Sequence, residues 1–108
     1  MSSSNLSSMK AEEAYKLIIE NKKLLILDVR TKEEYEKGHI PGAKLIPVQA
    51  LSARMDELYE YQDSPILVYC ETGRRSSFAV NYLIENDFTE IYHLDRGIVA
   101  WKYDRALG

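Results

Sequence analysis

Ile66-Leu67-Val68-Tyr69-Cys70-Glu71-Thr72-Gly73-Arg74-Arg75-Ser76-Ser77 is the stretch on which the fold turns. Four apolar residues, three of them β-branched or aromatic, form a run too short for a helix and bounded by Pro65. Such a run reads as a strand buried on both faces. Gly73 punctuates the loop that follows. The stripe Ala79, Val80, Leu83, Ile84 then recurs at helical spacing and predicts a helix over Ser76 to Glu85. Strand, tight loop and helix in this order make one half of a βαβ unit.

The same alternation extends in both directions. On the N-terminal side, Ala14, Leu17 and Ile18 predict a helix over Ala11 to Asn21, and Leu24 to Val29 predicts a second buried strand. Thr31-Lys32-Glu33-Glu34 fits a capping box, with Gly38 as the stop of a short helix. Ile40-Pro41-Gly42-Ala43 is a turn, Lys44 to Ile46 a strand ended by Pro47, and Leu51, Met55, Leu58 a helical stripe over Leu51 to Tyr59. On the C-terminal side, Glu90 to Leu94 is a further strand, and a last helix is expected near Ile98, taking in Ala100 and Trp101. Strands alternating with helices predict an α/β domain, a mainly parallel sheet of four to five strands with helices on both faces. The polar residues 1–8 are expected to form a flexible leader, in which Leu6 and Ser7 can add a short edge strand. Residues 9–108 are expected to form a single domain. The leader has neither the basic nor the apolar region of a secretory signal.

Composition narrows the function. The 108 residues are 45% hydrophobic and 29% charged, an ordinary globular balance. Lys and Arg number 14 against 17 Asp and Glu, a net charge of −3, which is not the footprint of a nucleic-acid binder. The longest apolar runs fall far short of the roughly 20 residues of a membrane span. A single cysteine, Cys70, excludes an internal disulfide. With His39 and His93 far apart and no second thiol, the sequence argues against a structural zinc site, and no cofactor is implied.

In parallel α/β sheets the ligand site lies beyond the carboxyl ends of the strands. Those ends are Asp28-Val29-Arg30, Cys70 and Leu94-Asp95-Arg96. Cys70 enters a loop whose amides, followed by a helix N-terminus, favour a negative charge. Arg74 and Arg75 add positive charge if they turn inward, whereas Glu71 opposes it and is expected to face solvent. Helix N-termini and neighbouring cations lower a cysteine pKa and produce a thiolate nucleophile. The plainer alternative makes Cys70 a small buried hydrophobe.

Leu27-Asp28-Val29-Arg30 with Glu34-Tyr35, Gly38-His39-Ile40-Pro41-Gly42-Ala43, Cys70-Glu71-Thr72-Gly73-Arg74-Arg75-Ser76, and Gly97 through Ala100-Trp101 follow one another in an order that resembles the single-domain rhodaneses. The resemblance runs from about Ala11 to Trp101. It implies a five-stranded parallel sheet, its extra strand coming from near the N-terminus. It also implies sulfurtransferase activity, with Cys70 taking sulfane sulfur from a small anionic donor such as thiosulfate and passing it from a persulfide to cyanide, a thiol or a protein thiol. Cys70 then matches the catalytic cysteine. Glu71, Thr72, Gly73, Arg74 and Arg75 match the rest of the substrate-binding loop, and Arg30 matches an arginine that often lines the same pocket, with Asp28 bracing the loops beneath it. A cytoplasmic location is expected. Where the family usually has paired glycines, this chain has Arg96-Gly97, and its loop matches neither the Arg-Lys-Gly nor the Gly-Ser-Gly form.

Two other readings compete. A phosphatase or arsenate reductase of related architecture places arginine six residues after the cysteine, where this chain has Ser76. An interaction or sulfur-carrier module without turnover commonly lacks the cysteine, which is present here. Among the remaining residues, His39 is expected to bond nearby backbone, His93 to pack as a neutral ring, Tyr69 and Trp101 to lie in the core, and Asp95 to orient Arg96 or a loop amide.

Overall fold

The computed structural model describes residues 6–108. Five parallel strands lie in the order β1-β5-β4-β2-β3. They are β1 (Leu6–Met9), β2 (Leu25–Asp28), β3 (Lys44–Leu45), β4 (Ile66–Tyr69) and β5 (Ile91–Leu94), with helices α1 (Ala11–Glu20), α2 (Lys32–Glu36) and α3 (Arg74–Glu85) between them. The α/β class and the parallel sheet expected from the sequence are what the chain adopts. The central strand β4 is buried throughout, with Ile66, Leu67, Val68 and Tyr69 all at 0% exposure, because both its faces are covered. Alternate residues divide between two cores. Ile66, Val68 and Cys70 join Leu51, Met55, Leu58, Ala79, Val80 and Leu83 beneath α3. Leu67 and Tyr69 join Ala11, Ala14, Ile98 and Trp101 on the α1 side.

The edge of the sheet reaches into the polar leader expected over residues 1–8. Leu6 pairs with Ile91 and Met9 with Leu94, so the short edge strand at Leu6 and Ser7 forms and continues to Met9. The part of the leader before Leu6 lies outside the described residues.

Two expected helices are different structures. Over Leu51 to Tyr59 the chain forms short 3₁₀ segments, Val48–Ala50, Ser52–Glu57 and Tyr59–Tyr61, with a break at Arg54 (φ −116°, ψ 19°). Bonds from Arg54 N to Leu51 O, Leu58 N to Met55 O and Tyr61 N to Leu58 O replace the α-helical pattern. The apolar spacing of four and then three serves either conformation, and Leu51, Met55 and Leu58 are buried as expected. At Ile98 only one 3₁₀ turn forms, Ile98–Ala100, and Trp101 is already extended. A side chain binds the carbonyls at the two ends of the turn. Arg105 Nη2 donates to Ile98 O at 2.8 Å and to Trp101 O at 3.1 Å. In contrast, the α2 capping box forms as read: Glu34 N donates to Thr31 Oγ1 at 3.2 Å, and Thr31 N to Glu34 Oε1 at 2.9 Å.

Candidate active site

β4 ends at Tyr69 and delivers Cys70 to the carboxyl edge of the sheet. Only Glu71, Thr72 and Gly73 separate it from α3, which begins at Arg74 rather than at Ser76. The turn is this tight because Gly73 takes φ +105°, and a Cβ there would stand 2.1 Å from Asp95 O. Behind the loop, Ile98 N donates to Cys70 O at 2.9 Å and Val99 N to Glu71 O at 3.2 Å. The loop is thereby pinned to the segment after β5. Gly97 (φ +73°) permits this contact, since a Cβ there would lie 2.2 Å from Glu71 O. Arg96, at the position of the missing glycine, stays exposed.

Cys70 is 1% exposed and borders the α3 core, yet polar groups converge on its sulfur. Gly73 N donates to Sγ at 3.1 Å, Ser76 N donates at 3.3 Å, and Ser76 Oγ lies 3.2 Å away. Burial pushes the thiol up. The Ser76 hydroxyl and the amides of Ser76, Gly73 and Thr72 outweigh it, so the Cys70 pKa falls below the ordinary thiol value. These donors favour the thiolate more than an apolar pocket would.

The charged residues are arranged differently from the sequence expectation. Glu71 keeps 39% of its side chain exposed, as expected of a solvent-facing residue, but it is not unpartnered. Its carboxylate accepts from Arg30 Nη1 at 3.0 Å. Arg30, 3% exposed, also donates to both oxygens of the fully buried Asp28, to Gly38 O at 2.8 Å, and through its own backbone amide to Asp28 Oδ1. Burial opposes the charge on Arg30, but Asp28 and Glu71 more than offset this and raise its pKa. The guanidinium lies 5.6 Å from the Tyr69 ring centroid. Arg75 turns not to the sulfur but to Glu34, in a bidentate pair at 2.8 and 2.9 Å. Arg75, ahead of burial and the Thr31 bonds, pulls the Glu34 carboxyl down to about 2. Arg74 and Thr72 are exposed at the rim. A polar cavity of about 240 Å³ opens beside the loop, lined by Arg30, Glu34, Lys37, Gly38, Glu71 and Arg105.

Two histidines were singled out in the sequence. His39 behaves as read: Nδ1 lies 2.9 Å from Tyr35 O and the ring stacks on Tyr35. His93 does more than pack. Its Nε2 is 2.6 Å from Ser76 Oγ, the atom that meets the cysteine sulfur. The sequence reading missed Ser76 as a side chain of the site. The signal for it was its place six residues after Cys70, in the first turn of a helix that starts over the sulfur. Among the described residues, no group of three or more His, Cys, Asp or Glu could hold a metal ion.

A sulfur-centred loop at the carboxyl edge of a five-stranded parallel sheet defines the class of protein. The profile of the family described as "Rhodanese-like domain" matches residues 10–104, and the chain belongs to that family. It is 32% identical over 85 residues to the thiosulfate sulfurtransferase GlpE of Pseudoalteromonas translucida, covering 79% of each chain. It is 38% identical over 103 residues to the putative sulfur carrier protein YrkF of Bacillus subtilis, covering 93% of this chain but only 55% of that one. Among solved structures, a rhodanese-related protein from Thermoplasma volcanium superposes with a TM-score of 0.82 at 29% identity, covering 94% of this chain and 98% of the other. The relatives of this rhodanese-like domain thus include a thiosulfate sulfurtransferase and a putative sulfur carrier.

Proposed function

We propose that the chain is a sulfurtransferase that moves sulfane sulfur from a small anionic donor such as thiosulfate to cyanide or a thiol through a persulfide on Cys70. The observation that carries this reading is the convergence of Gly73 N, Ser76 N and Ser76 Oγ on Cys70 Sγ. The thiolate attacks the outer sulfur of thiosulfate. The new S–S bond forms as the donor's S–S bond breaks, and sulfite leaves with the electron pair. An acceptor thiolate or cyanide then attacks the outer sulfur, and Cys70 departs as the thiolate it was. Both steps are redox-neutral displacements, and because sulfite leaves before the acceptor attacks the covalent persulfide, the kinetics are ping-pong.

The remaining residues take supporting parts. The amides of Glu71, Thr72 and Gly73 form the loop in which the persulfide rests. Arg74, exposed at the rim, attracts the anionic donor. Arg75 anchors the start of α3 through Glu34. Arg30 holds Glu71, and with it the loop wall, instead of reserving its whole guanidinium for the donor. The acceptor is external, because the chain has no second thiol. The same reading places the chain in the cytoplasm, where a lone thiol stays reduced. No described helix is long and apolar enough to cross a membrane.

The likeness to YrkF favours a second reading, a sulfur carrier that turns over thiosulfate slowly and delivers its persulfide to a protein thiol. One experiment tests both. Intact mass is recorded after brief treatment with thiosulfate and again after cyanide or a thiol-bearing protein is added. The expected result is a gain of one sulfur atom, absent in Cys70→Ala and reversed by the acceptor. Discharge by cyanide at a steady catalytic rate supports the enzyme, and discharge by the protein thiol alone supports the carrier. Hydrolysis of an aryl phosphate with no mass gain would overturn both.

A further inference from the structure

Cys70 Sγ, Ser76 Oγ and His93 Nε2 form a chain of two short contacts, 3.2 and 2.6 Å, that runs from the nucleophile into β5. The topology builds it. In the β4–β5 register Val68 stands opposite His93, so both side chains point to the α3 face, and Cys70 follows two residues later on that face. Ser76, at 0% exposure, caps the pair from the first turn of α3. The persulfide chemistry leaves His93 without a task.

A serine hydroxyl has one proton and here has two neighbours competing for it. While Cys70 is a thiol, S–H donates to Oγ and the hydroxyl proton points to an unprotonated Nε2. When Cys70 is a thiolate, the hydroxyl must donate to sulfur, and Oγ is then satisfied only by a proton on Nε2. We propose that Cys70, Ser76 and His93 work as one proton relay, in which the imidazole tautomer fixes the direction of the Ser76 hydroxyl and thereby the readiness of the sulfur to ionise. Protons balance as follows. The thiol proton passes to Oγ, the hydroxyl proton passes to Nε2, and the Nδ1 proton leaves to water. The ring begins and ends neutral, and the sulfur gains the negative charge.

Nδ1 is placed for this exit. Every fully buried side-chain nitrogen and oxygen among the described residues has a hydrogen-bond partner, and Nδ1 has none among them, so this atom of the 5%-exposed ring is not fully sealed from solvent. A neutral ring also suits its surroundings. Burial holds His93 below its ordinary pKa, against the opposing pull of Asp95 on the segment after its own strand. The elements packed around the ring add few titratable groups. β4 leads to Cys70, α3 contributes Ser76, and β1 sets the uncharged Ser8 opposite His93. His93 acts through Ser76 and is therefore a positioning residue.

The inference takes from the proposed function only that Cys70 is the nucleophile. It is tested on the full chain without any sulfur donor. The thiolate is titrated by ultraviolet absorbance, with Cys70→Ala as the blank that removes the tyrosine signal. The ¹⁵N shifts of the His93 ring are followed over the same pH range. We expect the protonated ring nitrogen to exchange from Nδ1 to Nε2 at the thiol's midpoint, and the exchange to vanish in Cys70→Ala. Ser76→Ala and His93→Leu should each raise the midpoint by about one pH unit, roughly tenfold less thiolate below it. His93→Gln, whose amide can donate to Ser76 Oγ, should restore most of that loss. A ring that keeps one tautomer through the thiol titration, or that becomes doubly protonated there, would overturn the relay. So would a midpoint unmoved in a folded His93→Leu protein. The ring measurement needs no variant at position 93, so a misfolded His93→Leu protein does not remove the test. A coupled ring in a chain that never gains sulfur from thiosulfate sinks the proposed function alone; normal sulfur loading with an uncoupled ring sinks the relay alone.

Discussion

Replacing Gly73 by alanine probes the geometry on which the sulfur depends, and Gly42 supplies its control. Both glycines lie at positive φ, +105° and +86°, where a residue with a Cβ is strained by about 1–2 kcal/mol. They differ in what the new methyl group meets. At Gly42 nothing lies within 4 Å, whereas at Gly73 the Asp95 carbonyl oxygen is 2.1 Å away. That oxygen belongs to backbone held by Met9 O through the Asp95 amide and cannot swing aside like a long side chain. Ordinary contact therefore requires the loop and the end of β5 to part by about 1 Å. Overpacking of this kind adds about 1–3 kcal/mol to the strain. Gly42→Ala should thus lose about 1 kcal/mol and Gly73→Ala about 3 kcal/mol, measured as the shift in urea midpoint at constant slope. The second consequence is chemical. Gly73 N is the amide that donates to Sγ at 3.1 Å, and moving it away removes a bond to a charged acceptor worth about 1.5–3 kcal/mol, or roughly one to two pH units on the thiol. Absorbance titration should show the Cys70 midpoint raised in Gly73→Ala and unchanged in Gly42→Ala. Equal stability losses in the two variants, together with an unmoved thiol, would refute the claim that close approach at Gly73 shapes the sulfur site.

Three further outcomes follow from the same contacts. Cys70→Ser should stay within about 1 kcal/mol of the parent in urea unfolding, because the sulfur's neighbours are polar and can bond a hydroxyl, but should show no mass gain with thiosulfate. Arg30→Met should cost about 3–5 kcal/mol, since it leaves the fully buried Asp28 without its counter-charge; Asp28→Asn in that background should recover part of the loss in the same assay. Glu34→Gln tests the tie between α2 and α3. Its carboxyl is pulled down to about 2 in the folded chain from 4.5, so its contribution is fully present above pH 4.5 and is lost as pH falls through 2. The stability gap between parent and variant should be under about 1 kcal/mol at pH 6, as expected of a pair one-third exposed, and should close as pH falls below about 2.

What the sequence made legible and what it hid divide along the range of the interactions. Local signals were sufficient for the strands and for the sulfur loop. The continuous apolar runs Leu24–Leu27 and Ile66–Tyr69, the Thr31–Glu34 box and the glycine three residues after Cys70 each act within a few positions. Where a pattern is shared by two conformations, local reading failed. Leu51, Met55 and Leu58 are buried at a spacing that α- and 3₁₀-helix both allow, and only tertiary packing chooses between them. The alternation of strands and helices predicts a helix at Ile98 to Trp101, but the β-branched Ile98 and Val99 are weak helix formers, and Arg105 holds the Ile98 and Trp101 carbonyls in a single turn. The charges of the site were misjudged for the same reason. Glu71 and Arg75 are adjacent to the sulfur in sequence, yet their partners, Arg30 and Glu34, are each 41 residues away, and nothing near Cys70 announces them. These pairs explain how a faintly acidic chain can stabilise an anionic sulfur. The nearby guanidiniums of Arg30 and Arg75 are engaged by carboxylates, so the groups that favour a thiolate at Cys70 are chiefly dipoles: the Gly73 and Ser76 amides and the Ser76 hydroxyl. Dipoles held by a strand, a glycine and a helix N-terminus are screened little by salt, unlike paired surface charges. The Cys70 midpoint should therefore shift by less than about 0.3 pH units between 0.05 and 1 M sodium chloride, where a thiolate held by a free arginine would drift upward by several times that.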